Sequence, residues 1–269
     1  MPATPRRNEP APWLCLLGTL AWSWAFWWAA ALTGQGWFEF PSLLLYALGS
    51  LGPIAVSMGL VALGRWDDTP AGFLRNAFDP RRLPWRWYGY VVALVLVRAG
   101  LQALLAIVRA SPGADGVVSL GAPPMFLLVG ALAGAVEEPG WRGYAQDALQ
   151  RRMPVVSASL VVALFWAAWH LPLFLMEGTY QSTLGFASSA FWLFNLAIVL
   201  ESPLYAWAYN ASGRVGLTAV LYHALSNVAL ELVSVRGPKH LDLFVVGLMA
   251  LVATMAAWRW MRERVGERD

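Results

Sequence analysis

Uncharged apolar stretches close to twenty residues long recur along this chain, and they leave it few ways to fold. A hydrocarbon core about 30 Å thick is crossed by roughly 20 helical residues, and a backbone that meets lipid must satisfy its own polar groups. Repeated stretches of this kind therefore specify an all-α fold, a bundle of transmembrane helices. Composition agrees: 58% of residues are hydrophobic, 13% are charged and the mean hydropathy is +0.53. About eight spans are predicted, at Trp13–Leu32, Phe40–Leu63, Trp87–Val108, Pro124–Asp147, Pro154–Met176, Gly185–Tyr209, Val215–Val233 and Leu241–Trp260. The fourth has a short apolar part, and its amphipathic second half, Trp141 to Gln150, suits a wet cavity better than lipid.

Basic residues orient the bundle, because cytoplasmic loops collect Lys and Arg. With the N-terminus inside, the inner segments carry 14 Arg, the outer loops carry only Arg109, Arg236 and Lys239, and Arg98 and Arg142 fall within spans. Both termini are then cytoplasmic. The sequence pI near 9.2 reflects this topology and an anionic inner leaflet, so membrane lipid is the expected partner and nucleic acid is not. Trp13, Trp37, Trp66, Trp85, Trp87, Trp258 and Trp260 fall at span ends, where amphipathic rings are expected to anchor at the headgroups.

The lone Cys15 leaves no internal disulfide and no cysteine-based zinc site. The first span follows a short basic segment but lacks a small-residue cleavage pattern, so it is expected to be retained. The longest polar stretch, Arg65 to Arg86, contains Pro70, Pro80 and Pro84 and reads as a cytoplasmic loop. Residues 1–269 are expected to form one membrane-embedded domain.

Polar residues inside the spans are expensive; a charge at the bilayer centre costs about 2.5–3.5 kcal/mol on insertion scales. Glu137 and Glu138 nevertheless stand side by side after the apolar run Met125–Val136. Helical phase places Arg142 one turn beyond Glu138, where the two can pair, and turns Glu137 about 100 degrees away, free for chemistry. Pro139 removes a backbone donor beside them, which predicts a kink or a restart of the helix. Upstream, Gly130 and Gly134 form a small-xxx-small face that lets a neighbouring helix approach.

His170 lies among aromatics in the fifth span, and His223 and Asn227 share a face of the seventh, a stripe that Glu231 continues. Taken singly, the histidine reads as packing and the His/Asn pair as an interhelical hydrogen bond. Taken together, a carboxylate, two imidazoles and an amide suit hydrolysis of an acyl bond, supplying a base, an orienting group and oxyanion donors. Arg98 and Gln102 share a face of the third span, and a buried bridge from Arg98 to Glu201 is expected, with contact to a substrate carboxylate as the alternative for Arg98.

The segments Glu137-Glu138-Pro139-Gly140-Trp141-Arg142, Trp166-Ala167-Ala168-Trp169-His170 and His223-Ala224-Leu225-Ser226-Asn227 resemble three motifs of the CAAX prenyl protease and bacteriocin-processing (CPBP, or Abi) family of intramembrane endopeptidases. Those motifs are Glu-Glu-x-x-x-Arg, an aromatic four residues before His, and His-x-x-x-Asn. The resemblance covers Pro124 to Val233 and makes residues 124–233 the expected catalytic core. It implies a glutamate-dependent protease in which Glu137, helped by His170, activates water. His223 and Asn227 would stabilise the oxyanion, and Glu138 and Arg142 would hold the local structure.

No cofactor is expected, although Glu137, His170 and His223 are also a ligand set that zinc accepts. The expected substrate is a membrane-associated peptide, lipidated or bacteriocin-like. With 18 Arg against one Lys the chain resembles the product of a GC-rich bacterial genome, which suggests a multi-pass protein of a bacterial inner membrane. Rival readings are a catalytically idle peptide-binding or bacteriocin self-immunity protein, and a small transporter with a proton-relay carboxylate. The transporter reading lacks the paired halves such folds usually show. Oligomeric state is not legible in these residues.

Overall fold

The computed structural model describes residues 9–109, 118–120 and 124–235. The eighth predicted span, with Trp258 and Trp260, lies outside the described residues, as do the side chains of Gln102 and Glu231. The first half contains helices α1 (Pro12–Leu32), α2 (Ser42–Ser50), α3 (Gly52–Ala62), α4 (Pro70–Phe78) and α5 (Trp85–Arg109). Next come α6 (Pro124–Glu138), a wide π-helical segment (Pro139–Gln146), α7 (Asp147–Leu149), α8 (Val155–Trp169) and a 3-10 turn (Leu171–Leu175). The helices α9 (Tyr180–Leu184), α10 (Ser189–Ala211) and α11 (Gly216–Leu232) complete the described bundle.

Each predicted span within the described residues is helical, and among the described residues three helical stretches are long and apolar enough to cross a membrane by themselves: Pro12–Leu32, Val155–Leu175 and Ser189–Ala211. A fourth is the pair α2 and α3, bent by 47°. Of the other predicted spans, α5 has 25 residues, whereas α6 stops after 15 at Glu138 and α11 has 17. One small element was not expected: Val118–Leu120 (β1) pairs antiparallel with Val233–Val235 (β2), Val118 opposite Val235.

Prolines break the helices, and the broken ends are then repaired by side chains. Pro53 has no N–H to offer the Gly49 carbonyl, and Ser23 Oγ of α1 donates to that oxygen at 2.7 Å instead. Two indoles of the same helix join it, Trp22 Nε1 donating to Leu48 O at 2.9 Å and Trp27 Nε1 to Tyr46 O at 3.0 Å. Trp169 Nε1 donates to Ser23 Oγ at 2.6 Å, which ties the end of α8 to the same wall.

The predicted loop Arg65–Arg86 is corrected by α4. Thr69 Oγ1 accepts the Gly72 N–H at 3.1 Å and Pro70 occupies the first helical position, a cap signature present in the residues themselves. The helix buries Phe73 and Ala77 against the bundle. Two of the expected anchors are also corrected. Trp37 is 9% exposed and lies 4.1 Å from Phe38 and 4.9 Å from Tyr46, while Trp87 is 5% exposed beside Trp207 at 5.7 Å. At those span ends a neighbouring helix, rather than a headgroup layer, covers the ring. Trp66 is half-buried against Tyr144, whereas Trp13 and Trp85 are exposed as anchors require.

The glycine face on α6 is used as expected. A Cβ at Gly134 would stand 2.5 Å from the Val220 carbonyl oxygen and 2.8 Å from the Ala224 nitrogen, and one at Gly130 would stand 3.1 Å from Asn227 Cβ. Only glycine lets α11 lie this close to α6, and that approach brings His223 level with the two glutamates.

Candidate active site

Four elements deliver the candidate residues to one buried region. Glu137 and Glu138 end α6, Arg142 follows on the π-helical segment, His170 caps α8, and His223 lies midway along α11. Pro139 denies the Ala135 carbonyl its usual donor, and the helix widens into π geometry there, as such insertions often do at functional sites. Gly140 permits the widened turn to touch α3, since a Cβ there would meet the Pro53 carbonyl and stand 2.7 Å from Pro53 Cβ.

The two adjacent carboxylates have different partners. Glu138 is fully buried, with Arg142 Nη1 at 3.3 Å and 3.4 Å from its two oxygens, the pairing expected from helical phase. Its Oε1 also receives His223 Nδ1 at 2.8 Å, a contact that sequence reasoning did not provide. Arg142 Nη2 donates to Ser202 Oγ at 3.1 Å, and that hydroxyl donates in turn to the Ser159 carbonyl at 2.9 Å. Its guanidinium lies over the rings of Trp166 at 4.6 Å and Tyr205 at 4.3 Å, a desolvated cation–π arrangement. Glu137, by contrast, has no ion pair among the described residues; its Oε2 accepts the indole N–H of Trp166 at 2.8 Å.

Hydrogen-bond roles fix the imidazole tautomers. His170 Nδ1 is 2.8 Å from the Trp166 carbonyl oxygen, which can only accept, so Nδ1 carries the proton and the lone pair of the neutral ring is on Nε2. His223 Nδ1 faces a carboxylate and must likewise carry a proton, with its charge matched by Glu138 when Nε2 is protonated too. The rings stack edge-on around the site, Trp166 with His223 at 5.5 Å and His170 with Phe194 at 5.2 Å.

Asn227 sits one turn from His223 and is half-buried, and its Nδ2 reaches toward the Gly130 carbonyl oxygen at 3.4 Å. The amide therefore faces the α6 backbone in this state. The Arg98–Glu201 bridge expected within the spans is present at 3.0 Å, and Tyr222 donates to the same Glu201 oxygen at 3.0 Å. Among the described residues no three His, Cys, Asp or Glu side chains converge as a metal-binding group.

Fold and site together describe a membrane-embedded helical protein with an acid–imidazole centre inside the bundle. Residues 119–229 match the sequence model of the family described as Type II CAAX prenyl endopeptidase Rce1-like. The chain is also 26% identical over 265 residues to "CAAX prenyl protease 2" of Methanococcus maripaludis, an alignment that covers 95% of this chain and 97% of that one. The matched segment contains Glu137, Glu138, Arg142, His170, His223 and Asn227, so the similarity to these CAAX prenyl endopeptidases, a family of proteases, falls on the candidate site.

Proposed function

We propose that the protein is a glutamate-dependent intramembrane endopeptidase that cuts a membrane-associated peptide carrying a prenyl or similar lipid group, using water activated by Glu137. The prenylated substrate is carried over from the name of the archaeal relative and of the family. The observation that carries the mechanism is the unequal treatment of two adjacent acids: Glu138 takes both nearby cations, Arg142 and His223, and Glu137 keeps a carboxylate free of any ion pair among the described residues.

In this mechanism a water lies between Glu137 and the Nε2 lone pair of His170. Glu137 takes one proton from it as the hydroxide attacks the scissile carbonyl carbon, a general-base contribution of about 10²–10⁴-fold. His223 donates its Nε2 proton as a hydrogen bond to the resulting oxyanion, with Asn227 as the second donor after its amide turns from Gly130. Collapse breaks the C–N bond as protonated Glu137 returns its proton to the leaving amine. The proposed reaction needs no metal.

We place this activity in a single membrane-embedded unit, residues 1–269, with residues 124–233 as the catalytic core and both termini cytoplasmic, in a bacterial inner membrane. The test is cleavage of a quenched-fluorescent S-farnesyl CAAX peptide by the purified protein after exhaustive chelation. Wild-type cleavage should persist and Glu137→Gln should lose it while remaining folded. Cleavage by folded Glu137→Gln at the wild-type rate would overturn the assignment, and loss on chelation with specific recovery by zinc would overturn the metal-free mechanism.

A further inference from the structure

Trp166 touches more of the candidate machinery than any residue assigned to it. Its indole N–H holds Glu137 Oε2 at 2.8 Å, its backbone carbonyl holds His170 Nδ1 at 2.8 Å, its ring meets His223 at 5.5 Å, and the Arg142 guanidinium covers that ring at 4.6 Å. The residue is 4% exposed, and Tyr205 packs edge-on against it at 5.5 Å, so its ring has no room to turn.

We propose that Trp166 is a positioning residue: its indole N–H commits one oxygen of Glu137 and leaves Oε1 as the oxygen that takes the proton from water. The proposal rests on the reading of Glu137 as the base. The terminal torsion of a glutamate is broad and nearly two-fold, so an untethered carboxylate presents either oxygen over a range of angles. An indole N–H donates and cannot accept, so it fixes Oε2 without competing for the proton. The same residue, through its carbonyl, fixes the tautomer of His170. Two groups from α6 and α8 that must address one water are therefore set by a single rigid side chain and its own backbone.

The discriminating experiment replaces Trp166 with 3-benzothienylalanine, which keeps the bicyclic ring and replaces the N–H with sulfur. With the farnesyl CAAX peptide as probe, kcat should fall about 10- to 100-fold, the scale of an ångström-sized misplacement of a reacting group, with KM within twofold of wild type. Trp166→Phe should show the same split and serves as the second variant. The same analogue at Trp27, whose indole donates to the Tyr46 carbonyl, should leave kcat within twofold. An unchanged kcat at position 166, or a rise in KM alone, overturns the proposal while inactive Glu137→Gln leaves the base assignment standing. Full activity of Glu137→Gln would instead remove the base assignment itself.

Discussion

Two buried carboxylate networks lie side by side in this bundle, joined through adjacent residues on two helices, yet they are built for different purposes. Glu201 on α10 binds Arg98 and Tyr222, each at 3.0 Å. Glu138 on α6 binds Arg142 and His223, and Ser202, the next residue after Glu201, accepts from Arg142 Nη2. The partners of Glu201 are groups that keep their protons near neutral pH, so that network is a fixed bolt between α5, α10 and α11. The partners of Glu138 include an imidazole whose second nitrogen is not consumed by the network, so the same kind of bolt here holds a group able to donate to a reacting oxygen. Burial of charge marks both places; an adjacent acid without an ion pair among the described residues, Glu137, marks the one to which we assign the chemistry.

Substitutions can break this comparison from either side. Glu201→Gln strands Arg98 without its counter-charge, and stability should drop by about 3–5 kcal/mol in a denaturation assay in detergent, while the folded fraction keeps its kcat. His223→Ala removes one oxyanion donor, and kcat for the farnesyl peptide should fall about 10²–10³-fold. Tyr222→Phe, one residue away but in the other network, should cost about 0.6 kcal/mol of stability and leave kcat within a few fold. If Tyr222→Phe matched His223→Ala in activity, the two networks would be one functional unit and the distinction drawn here would fail.

What the residues disclosed in advance was mostly local. Helical phase paired Glu138 with Arg142, Pro139 announced the break that the π-helical segment makes, and the scarcity of intramembrane charge matched Arg98 with Glu201. The contact between His223 and Glu138 spans 85 residues, and it depends on how closely α11 settles on Gly130 and Gly134. Spacing within one helix carries no information about that register. The indole bond from Trp166 to Glu137 was hidden for the same reason, since an aromatic in an apolar span reads as packing until its N–H has a partner. The anchor assignments for Trp37 and Trp87 failed because a span end beside another helix offers a ring the same shelter as a headgroup layer. The helix α4 was legible in the Thr69-Pro70 cap but was masked by the prolines that flank it.

The central claim is a division of labour between two neighbouring acids, and parallel measurement of unfolding free energy and farnesyl-peptide turnover in Glu137→Gln and Glu138→Gln tests it most directly. Glu137→Gln should lose turnover by about 10²–10⁴-fold with its stability unchanged or raised, because no cation is left unpaired. Glu138→Gln should lose about 3–5 kcal/mol of stability, because Arg142 and His223 lose their shared counter-charge. The reverse pattern, a destabilised Glu137→Gln that still turns over and a stable, inactive Glu138→Gln, would contradict the account.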